Sequence, residues 1–264
     1  MKLMVNEWRK FLKRRVLLLT IPILTLLTIV GCCLIVRLYI PKEIVKSNDL
    51  FIGLLKINLY LLMTMAIVYA SSILTQELTS GTIKLLLTRP YNRHKVLLAK
   101  FGALTILMTA TMFAFSIISY IVELIIYGSV PNITFCLKQS GINIFAFLIS
   151  VMYFGAFALL VSTLINSPSM STAFTLIFFM GGHTIWTVIT SFLKISEDNL
   201  LLYKIFPLQI NDNLLQLLDM SIENSNGFVP SELFIALITT LVYTLIFYLI
   251  ADFIFNRKDI SLAS

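Results

Sequence analysis

Six long apolar runs constrain this chain most, because each is long enough to cross the hydrocarbon core of a bilayer as a helix. Such a crossing takes about 20 mostly apolar residues for about 30 Å. The runs lie at about 16–40, 54–74, 96–127, 142–165, 170–193 and 233–255. They predict an all-α polytopic membrane protein with six transmembrane helices. On this interpretation residues 1–264 form a single transmembrane domain, and no water-soluble domain accompanies it.

The composition agrees with a membrane protein and argues against a soluble one. Hydrophobic residues make up 58% of the chain and charged residues 12%, whereas soluble domains are typically about a quarter charged. Of the three cysteines, Cys32 and Cys33 lie inside the first apolar run, and Cys136 is expected in a short connecting loop. Their number and spacing fit neither a disulfide framework nor a zinc site, so no metal site is predicted.

The positions of the basic residues predict the orientation, since cytoplasmic segments of membrane proteins carry an excess of Lys and Arg. With the N-terminus in the cytoplasm, 13 of the 20 basic residues fall on the inner side. They are Lys2, Arg9, Lys10, Lys13, Arg14, Arg15, Lys84, Arg89, Arg93, Lys95, Lys100, Arg257 and Lys258. A multi-pass protein with both termini cytoplasmic is therefore expected. The net charge of +7 needs no nucleic-acid partner, because anionic membrane lipid accounts for it.

The N-terminal segment is amphipathic. Its apolar residues fall on one helical face at about 100° per residue; they are Met4, Val5, Trp8, Phe11 and Leu12. This pattern favours an interfacial helix with its basic face toward lipid headgroups. The alternative is a simple cytoplasmic extension of the first span.

The stretch before the last span, 195–231, is the longest one outside the apolar runs. Two apolar groups, Leu200 to Phe206 and Leu214 to Leu218, flank Pro207 and a polar turn. We predict a partly helical extracellular segment, with short helices that rest on the outer leaflet or dip into it.

Residues with catalytic potential are few. The sequence has no P-loop, no H-E-x-x-H and no G-x-S-x-G, so we predict neither catalytic nor cofactor-binding residues. His183 follows a pair of glycines in the fifth run, where it is either a candidate pathway residue or an interhelical hydrogen-bonding partner. Glu123 and Asp252 lie toward opposite membrane faces, and each is expected to reach the headgroup region, which gives a proton relay little support.

The connection between the second and third spans has the most informative pattern. Gly81 permits a break just below the membrane. Ile83, Leu86 and Leu87 then share one face of a short helix that Pro90 ends. The pattern predicts an amphipathic helix in the cytoplasm, clamped between two spans. Such a helix suits either docking into a groove of a partner protein or an elbow that lies on the lipid surface.

The stretch from Glu77 to Arg93, ELTSGTIKLLLTRPYNR, resembles the signature of type-2 ABC exporter permeases. The likeness points to the branch of bacitracin-resistance and sodium-export permeases. In that branch a stretch of the form E-x-x-x-G-T-[IL]-K-x-L-L-x-x-P-x-x-R follows the second span. The basic N-terminal helix, the six spans and the segment before the last span are also similar.

The resemblance implies a bacterial cell-membrane exporter built from two permease copies, identical or related. Two separate ABC ATPase subunits would bind ATP and Mg, with no cofactor on this chain. Their closure would act on the connection as a coupling helix. The residues expected in this ATPase-coupling segment are Glu77, Gly81, Thr82, Ile83, Lys84, Leu86, Leu87, Arg89, Pro90 and Arg93.

Two other functions compete with this hypothesis. A secondary transporter driven by an ion gradient would need intramembrane charge, for which His183 is the only mid-span candidate. A membrane scaffold or enzyme would need a cluster of reactive residues, which the sequence does not show. The cargo does not follow from the residues, although a hydrophobic or amphipathic compound, such as an antimicrobial peptide or a lipid, fits the apolar spans.

Overall fold

The structure is a computed structural model of the 264-residue chain. It describes residues 23, 26, 30 and 31 singly, and then 47–79, 93–127, 133–165, 167–193, 207, 210–223 and 230–257. Over these ranges the chain is helical, with the helices α1 (Ser47–Thr79), α2 (Arg93–Tyr127), α3 (Ile133–Leu164), α4 (Pro168–Leu193), α5 (Ile210–Glu223) and α6 (Pro230–Arg257). The described part contains no β-strand.

Helix boundaries follow the proline positions. α4 begins at Pro168 and α6 begins at Pro230. Proline is well tolerated at a first helical position, since the N–H that it lacks would have no partner in the helix. The carbonyl of Ser167 accepts the first bond of α4 from the amide of Ser171, at 3.0 Å. α2 begins at Arg93, three residues after Pro90 in the sequence.

Hydroxyl groups inside the helices bond back to the backbone. Thr75 donates to the carbonyl of Ser71 at 2.7 Å. In α6, Thr240 donates to the carbonyl of Ala236 at 2.6 Å, and Thr244 donates to that of Thr240 at 2.8 Å. Each hydroxyl thereby finds a partner within its own helix, which matters because a lipid environment offers none.

Four of the helices, α1, α2, α3 and α6, are long and apolar enough to cross a membrane. They confirm the long apolar helices predicted at 54–74, 96–127, 142–165 and 233–255. α4 coincides with the run at 170–193, and α5 lies in the stretch between the fifth and sixth runs. Most of the first run, and the N-terminal segment before it, lie outside the described residues; those described, 23, 26, 30 and 31, are helical. Six crossings therefore remain a prediction.

One prediction about the loops is wrong. Cys136 does not lie in a connecting loop: α3 begins at Ile133 rather than near 142, and Cys136 is buried in its first turn. The early residues of α3 include Lys138 and Gln139, and this polar content conceals the helix when apolar runs alone are sought. The periodicity is nevertheless helical, because the buried residues Cys136, Gln139 and Asn143 recur at spacings of three and four.

The chain divides into two compact units, and α1, α2 and α3 each run through both. The first unit comprises Met1–Met65 and Ala103–Leu148. In it the amide of Asn58 on α1 donates to the hydroxyl of Ser119 on α2, at 3.2 Å. This bond fixes the rotational register of α1 against α2 within the unit.

The second unit comprises Ala66–Gly102 and Ile149–Ser264. Here α3 lies between α4 and α6 and contacts both through aromatic rings. Phe157 of α3 stacks on Phe178 of α4 with the ring centroids 4.1 Å apart. On its other side Phe157 meets Phe247 of α6 at 5.3 Å. Aromatic pairs of this kind add van der Waals contact where lipid removes most of the hydrophobic driving force for association.

Helix α5 also belongs to the second unit and packs against α6. Its residues Ile210, Leu214 and Leu218 recur at four-residue spacing and are buried. Two polar bonds hold this region to α3. The hydroxyl of Ser150 donates to Asn211 Oδ1 at 2.8 Å, and the hydroxyl of Tyr153 donates to the carbonyl of Pro207.

The outer surfaces of the long helices are apolar. On α6 the exposed side chains include Leu241, Leu245, Leu249 and Phe253, each between 48% and 59% exposed. Soluble monomers rarely display continuous apolar surfaces of this kind. The exposed face of α6 is therefore suited to lipid.

Candidate coupling site

The predicted coupling segment lies between α1 and α2. Of its residues, Glu77 lies in the last turns of α1, and Arg93 is the first residue of α2. The others lie outside the described residues: Gly81, Thr82, Ile83, Lys84, Leu86, Leu87, Arg89 and Pro90. The structure does show the contacts of the end of α1 and the start of α2, the two helix ends that the segment connects.

An apolar cluster joins these two helix ends within the second unit. Leu74 comes from the end of α1 and Leu97 from the start of α2. Leu159 of α3 and the α6 residues Ala251 and Phe255 complete the cluster, and all five are at most 2% exposed. Four helices therefore share one packed layer where the 80–92 connection leaves α1 and enters α2.

Aromatic contacts extend the layer along α2 and α6. Phe101 lies one turn beyond Leu97 and packs against the layer together with Leu160 and Tyr248. The rings of Phe101 and Tyr248 have their centroids 5.6 Å apart. The start of α2 is thus held to α6 over more than one helical turn.

Three polar side chains interact next to this apolar layer, at the start of α2 and the end of α6. His94, in the first turn of α2, hydrogen-bonds through Nδ1 to the Asp252 carboxylate of α6. Asn256, one turn further along α6, donates to the Asp252 backbone carbonyl at 2.7 Å, and its amide nitrogen lies 3.0 Å from His94 Nδ1. The imidazole is 64% exposed, whereas the Asp252 side chain is only 12% exposed. The start of α2 is therefore tied to the end of α6 by both packing and polar contact.

The polar groups at this junction form a pair across two helices. The described residues contain no group of three or more His, Cys, Asp or Glu that could hold a metal ion. Asp252 Oδ1 has no hydrogen-bond partner, yet its neighbours are a lone histidine and an amide rather than a nucleophile with a base. A buried carboxylate paired across two helices fixes their relative register.

Sequence reasoning missed this pairing and misjudged two acidic residues. His94 and Asp252 are 158 residues apart, so no local pattern connects them. Asp252 is expected at the headgroups but is mostly buried against α2. Glu123 is expected there too but is fully buried, because α3 begins early enough to cover it. A signal was present: each carboxylate lies among apolar residues, where a charge needs a partner.

His183 lies in α4. Its side chain is outside the described residues, so both interpretations of it, as a pathway residue and as an interhelical partner, remain predictions.

The long apolar helices, their lipid-suited faces and the packed junction define a polytopic helical membrane protein. Comparison with known proteins gives its family. Residues 1–260 match the family model described as ABC-2 family transporter protein, and the chain belongs to that family. It is also similar to the "Uncharacterized membrane protein YdbK" of Bacillus subtilis (strain 168), with 25% identity over 184 residues, which is 67% of this chain and 72% of that relative.

The family places the chain among the membrane permease subunits of ABC transporters. Such subunits generally have no ATPase site of their own and pair with an ATPase subunit. The absence of a P-loop from the sequence agrees with this division of labour. A multi-pass position in a cell membrane also fits the family and the apolar helices.

Proposed function

We propose that this chain is the membrane-spanning permease subunit of an ATP-driven exporter and forms the translocation pathway as a dimer. In this proposal the permease pairs with an identical or a related copy, and two ATPase subunits act on it. The family match over 1–260 carries the proposal. Within the family, the Glu77–Arg93 stretch supports a place in the branch of bacitracin-resistance and sodium-export permeases.

The ATPase docks, in this proposal, on the connection between α1 and α2. The basis is the packed layer of Leu74, Leu97 and Phe255, which receives both ends of the connection. Because both ends of the predicted coupling helix enter this packed layer, a displacement of that helix would move α2 and α6 with it. The side that carries this layer is then cytoplasmic, in keeping with the basic residues Lys95 and Arg257 nearby in the sequence.

The cargo is proposed to be hydrophobic or amphipathic, such as a membrane-active peptide or a lipid. The support is the composition of the long helices, whose exposed faces are apolar. A strain that lacks the chain should be more sensitive to membrane-active peptides than its parent. Equal sensitivity would remove antimicrobial peptides from the proposed cargoes.

Co-purification tests the partnership directly. We expect an ABC ATPase subunit to co-elute with the tagged chain in mild detergent, and ATP hydrolysis to depend on that subunit. Transport by the purified chain alone in liposomes, driven by an ion gradient without nucleotide, would instead establish the competing secondary-transporter function.

Substitutions in the connection test the docking site. Leu86→Asp places a charge on the predicted apolar face and should lower transport-coupled ATPase activity at least about tenfold, since loss of a buried apolar anchor with a charge in its place costs more than about 1.4 kcal/mol. Thr88→Asp adds the same charge on the other face and serves as the matched control. Gly81→Leu should also reduce coupling while membrane insertion is kept.

The comparison between the two faces decides the outcome. Equal effects of Leu86→Asp and Thr88→Asp would show that charge alone, and not the apolar face, matters. Full coupling in both Leu86→Asp and Gly81→Leu would show that the connection is an elbow without a docked partner.

A further inference from the structure

The first unit contains a group of buried polar side chains that the coupling function does not use. Asn58 of α1, Ser119 and Glu123 of α2, and Gln139 of α3 are each at most 2% exposed. We call them the oxygen cluster. All four belong to the same compact unit. They lie on three helices, so their convergence follows from the tertiary structure and not from the sequence of any one element.

A chain of contacts connects these three helices near Glu123. Ser119 precedes Glu123 by one turn of α2 and accepts a hydrogen bond from the Asn58 amide at 3.2 Å. On the other side, Glu123 Oε2 lies 4.0 Å from the thiol sulfur of Cys136. Gln139 follows Cys136 by one turn on the same face of α3. The carboxylate is therefore linked to Asn58 of α1 through Ser119, and to the face of α3 that carries Gln139 through Cys136.

The unsatisfied atoms of the cluster are all oxygens. Asn58 Oδ1, Glu123 Oε1 and Gln139 Oε1 are buried and have no hydrogen-bond partner. A buried acceptor without a partner costs about 1–3 kcal/mol, and a carboxylate costs more. Native structures satisfy the great majority of such atoms. Three buried acceptor oxygens that no donor reaches, one of them on a carboxylate, are suited to a positive charge.

No basic side chain of the unit meets this need in the described contacts. Lys138 lies between Cys136 and Gln139 but is exposed on the other side of α3. Lys56 precedes Asn58 by two positions, about 200° around α1, and so faces away from it. Among the described residues, the three oxygens therefore have no hydrogen-bond partner, charged or neutral.

The geometry points to a bound monovalent metal cation, Na⁺ or K⁺, held by the oxygen cluster. Carboxylate, amide and hydroxyl oxygens are the ligands that hard cations take. A single carboxylate balances one positive charge, whereas a divalent ion would leave a net charge buried among apolar helices. Cys136 is a soft ligand that favours other metals, and the described residues contain no His, Cys, Asp and Glu set for those.

The ion has a structural role in this proposal. It links α1, α2 and α3 through oxygens that would otherwise repel one another or stay unpaired. All four side chains are closed off from the surface, so the ion is resident in the unit and is separate from the cargo.

Thermal unfolding of the full chain in detergent tests the site. We expect the unfolding midpoint to rise saturably with NaCl or KCl at constant ionic strength, with choline chloride as the balancing salt. The series with Na⁺, K⁺ and choline identifies which cation binds. Equilibrium binding of radioactive ²²Na⁺ (or ⁸⁶Rb⁺ in place of K⁺) provides a second readout that does not depend on unfolding.

Variants locate the effect. Glu123→Gln keeps the shape and removes the charge, so the salt-dependent shift should disappear. Gln139→Leu removes one neutral ligand and should raise the half-maximal cation concentration about five- to tenfold. Asp252→Asn removes the buried carboxylate of the other unit and is the matched control, which should keep the shift. Should Glu123→Gln fail to fold, Gln139→Leu still carries the test.

Other results would overturn the site. A midpoint that ignores metal cations but rises on acidification, and loses that rise in Glu123→Gln, would show that a proton neutralises Glu123. A shift that persists in Glu123→Gln and Gln139→Leu, or equal shifts with choline and metal cations, would show that the cations act elsewhere.

Discussion

Phe255 offers the sharpest test of the packed layer. Its ring is fully buried among Leu74, Leu97 and Leu159. Two positions earlier on α6, Phe253 has the same side chain but is 55% exposed and lies against the guanidinium of Arg257, 4.2 Å from its ring centroid. The two alanine variants therefore remove the same atoms from two different environments on one helix.

The size of the effect follows from the membrane setting. In water Phe→Ala in a core costs about 3–5 kcal/mol, of which part is lost transfer free energy. That part largely cancels here, because the unfolded chain in detergent keeps the ring among apolar tails. The cavity remains: about 100 Å³ at about 24 cal/mol per Å³ gives about 2.4 kcal/mol. Phe253→Ala leaves no cavity and loses one exposed cation–π contact, about 0.5–1 kcal/mol.

Reversible unfolding by SDS in mixed micelles measures both free energies. We expect Phe255→Ala to lose about 2.4 kcal/mol, equivalent to roughly 5–10 °C in the thermal midpoint at about 2–4 °C per kcal/mol. Phe253→Ala should lose less than half as much. Equal losses in the two variants, or a loss below about 1 kcal/mol in Phe255→Ala, would refute the packing of Phe255 in the layer.

Two further predictions use the same titration. Asp252→Leu should cost about 0.5–1.5 kcal/mol because the hydrogen bond to the exposed His94 ring is lost, while Asp252→Asn keeps an acceptor and should lose less; equal losses would show that the contact is not a hydrogen bond. Tyr153→Phe should cost about 1 kcal/mol through loss of the bond to the Pro207 carbonyl. Tyr243→Phe, at a half-buried ring with no described hydroxyl bond, is its control, and equal effects would contradict that bond.

The sequence predicted the parts of the fold that depend on local hydrophobicity and on helix-breaking residues. The apolar runs that open after Pro168 and Pro230 correspond to α4 and α6 within a few residues. A long apolar stretch in lipid must satisfy its backbone hydrogen bonds within the segment, and a helix does so. These helices could therefore be predicted from hydrophobicity alone. The side of the membrane and the coupling role of 77–93 stay predictions.

The sequence could not give the contacts between helices. The start of α3 was hidden because Lys138 and Gln139 interrupt its hydrophobicity, although its buried face is continuous. The apolar run alone predicts a shorter α3, which would leave Glu123 free to reach the headgroups. The pairing of His94 with Asp252 depends on how α2 and α6 pack, and this packing cannot be predicted from a single sequence.

The threonines of α6 have a consequence for movement. Thr240 and Thr244 each bond to a carbonyl one turn back, which also serves the backbone ladder. When a helix bends, ladder bonds on its convex side lengthen. In lipid a carbonyl that loses its amide donor would have no other hydrogen-bond partner, but here a threonine hydroxyl already donates to it. α6 can therefore bend at this point with its buried face convex, without either carbonyl losing all of its partners.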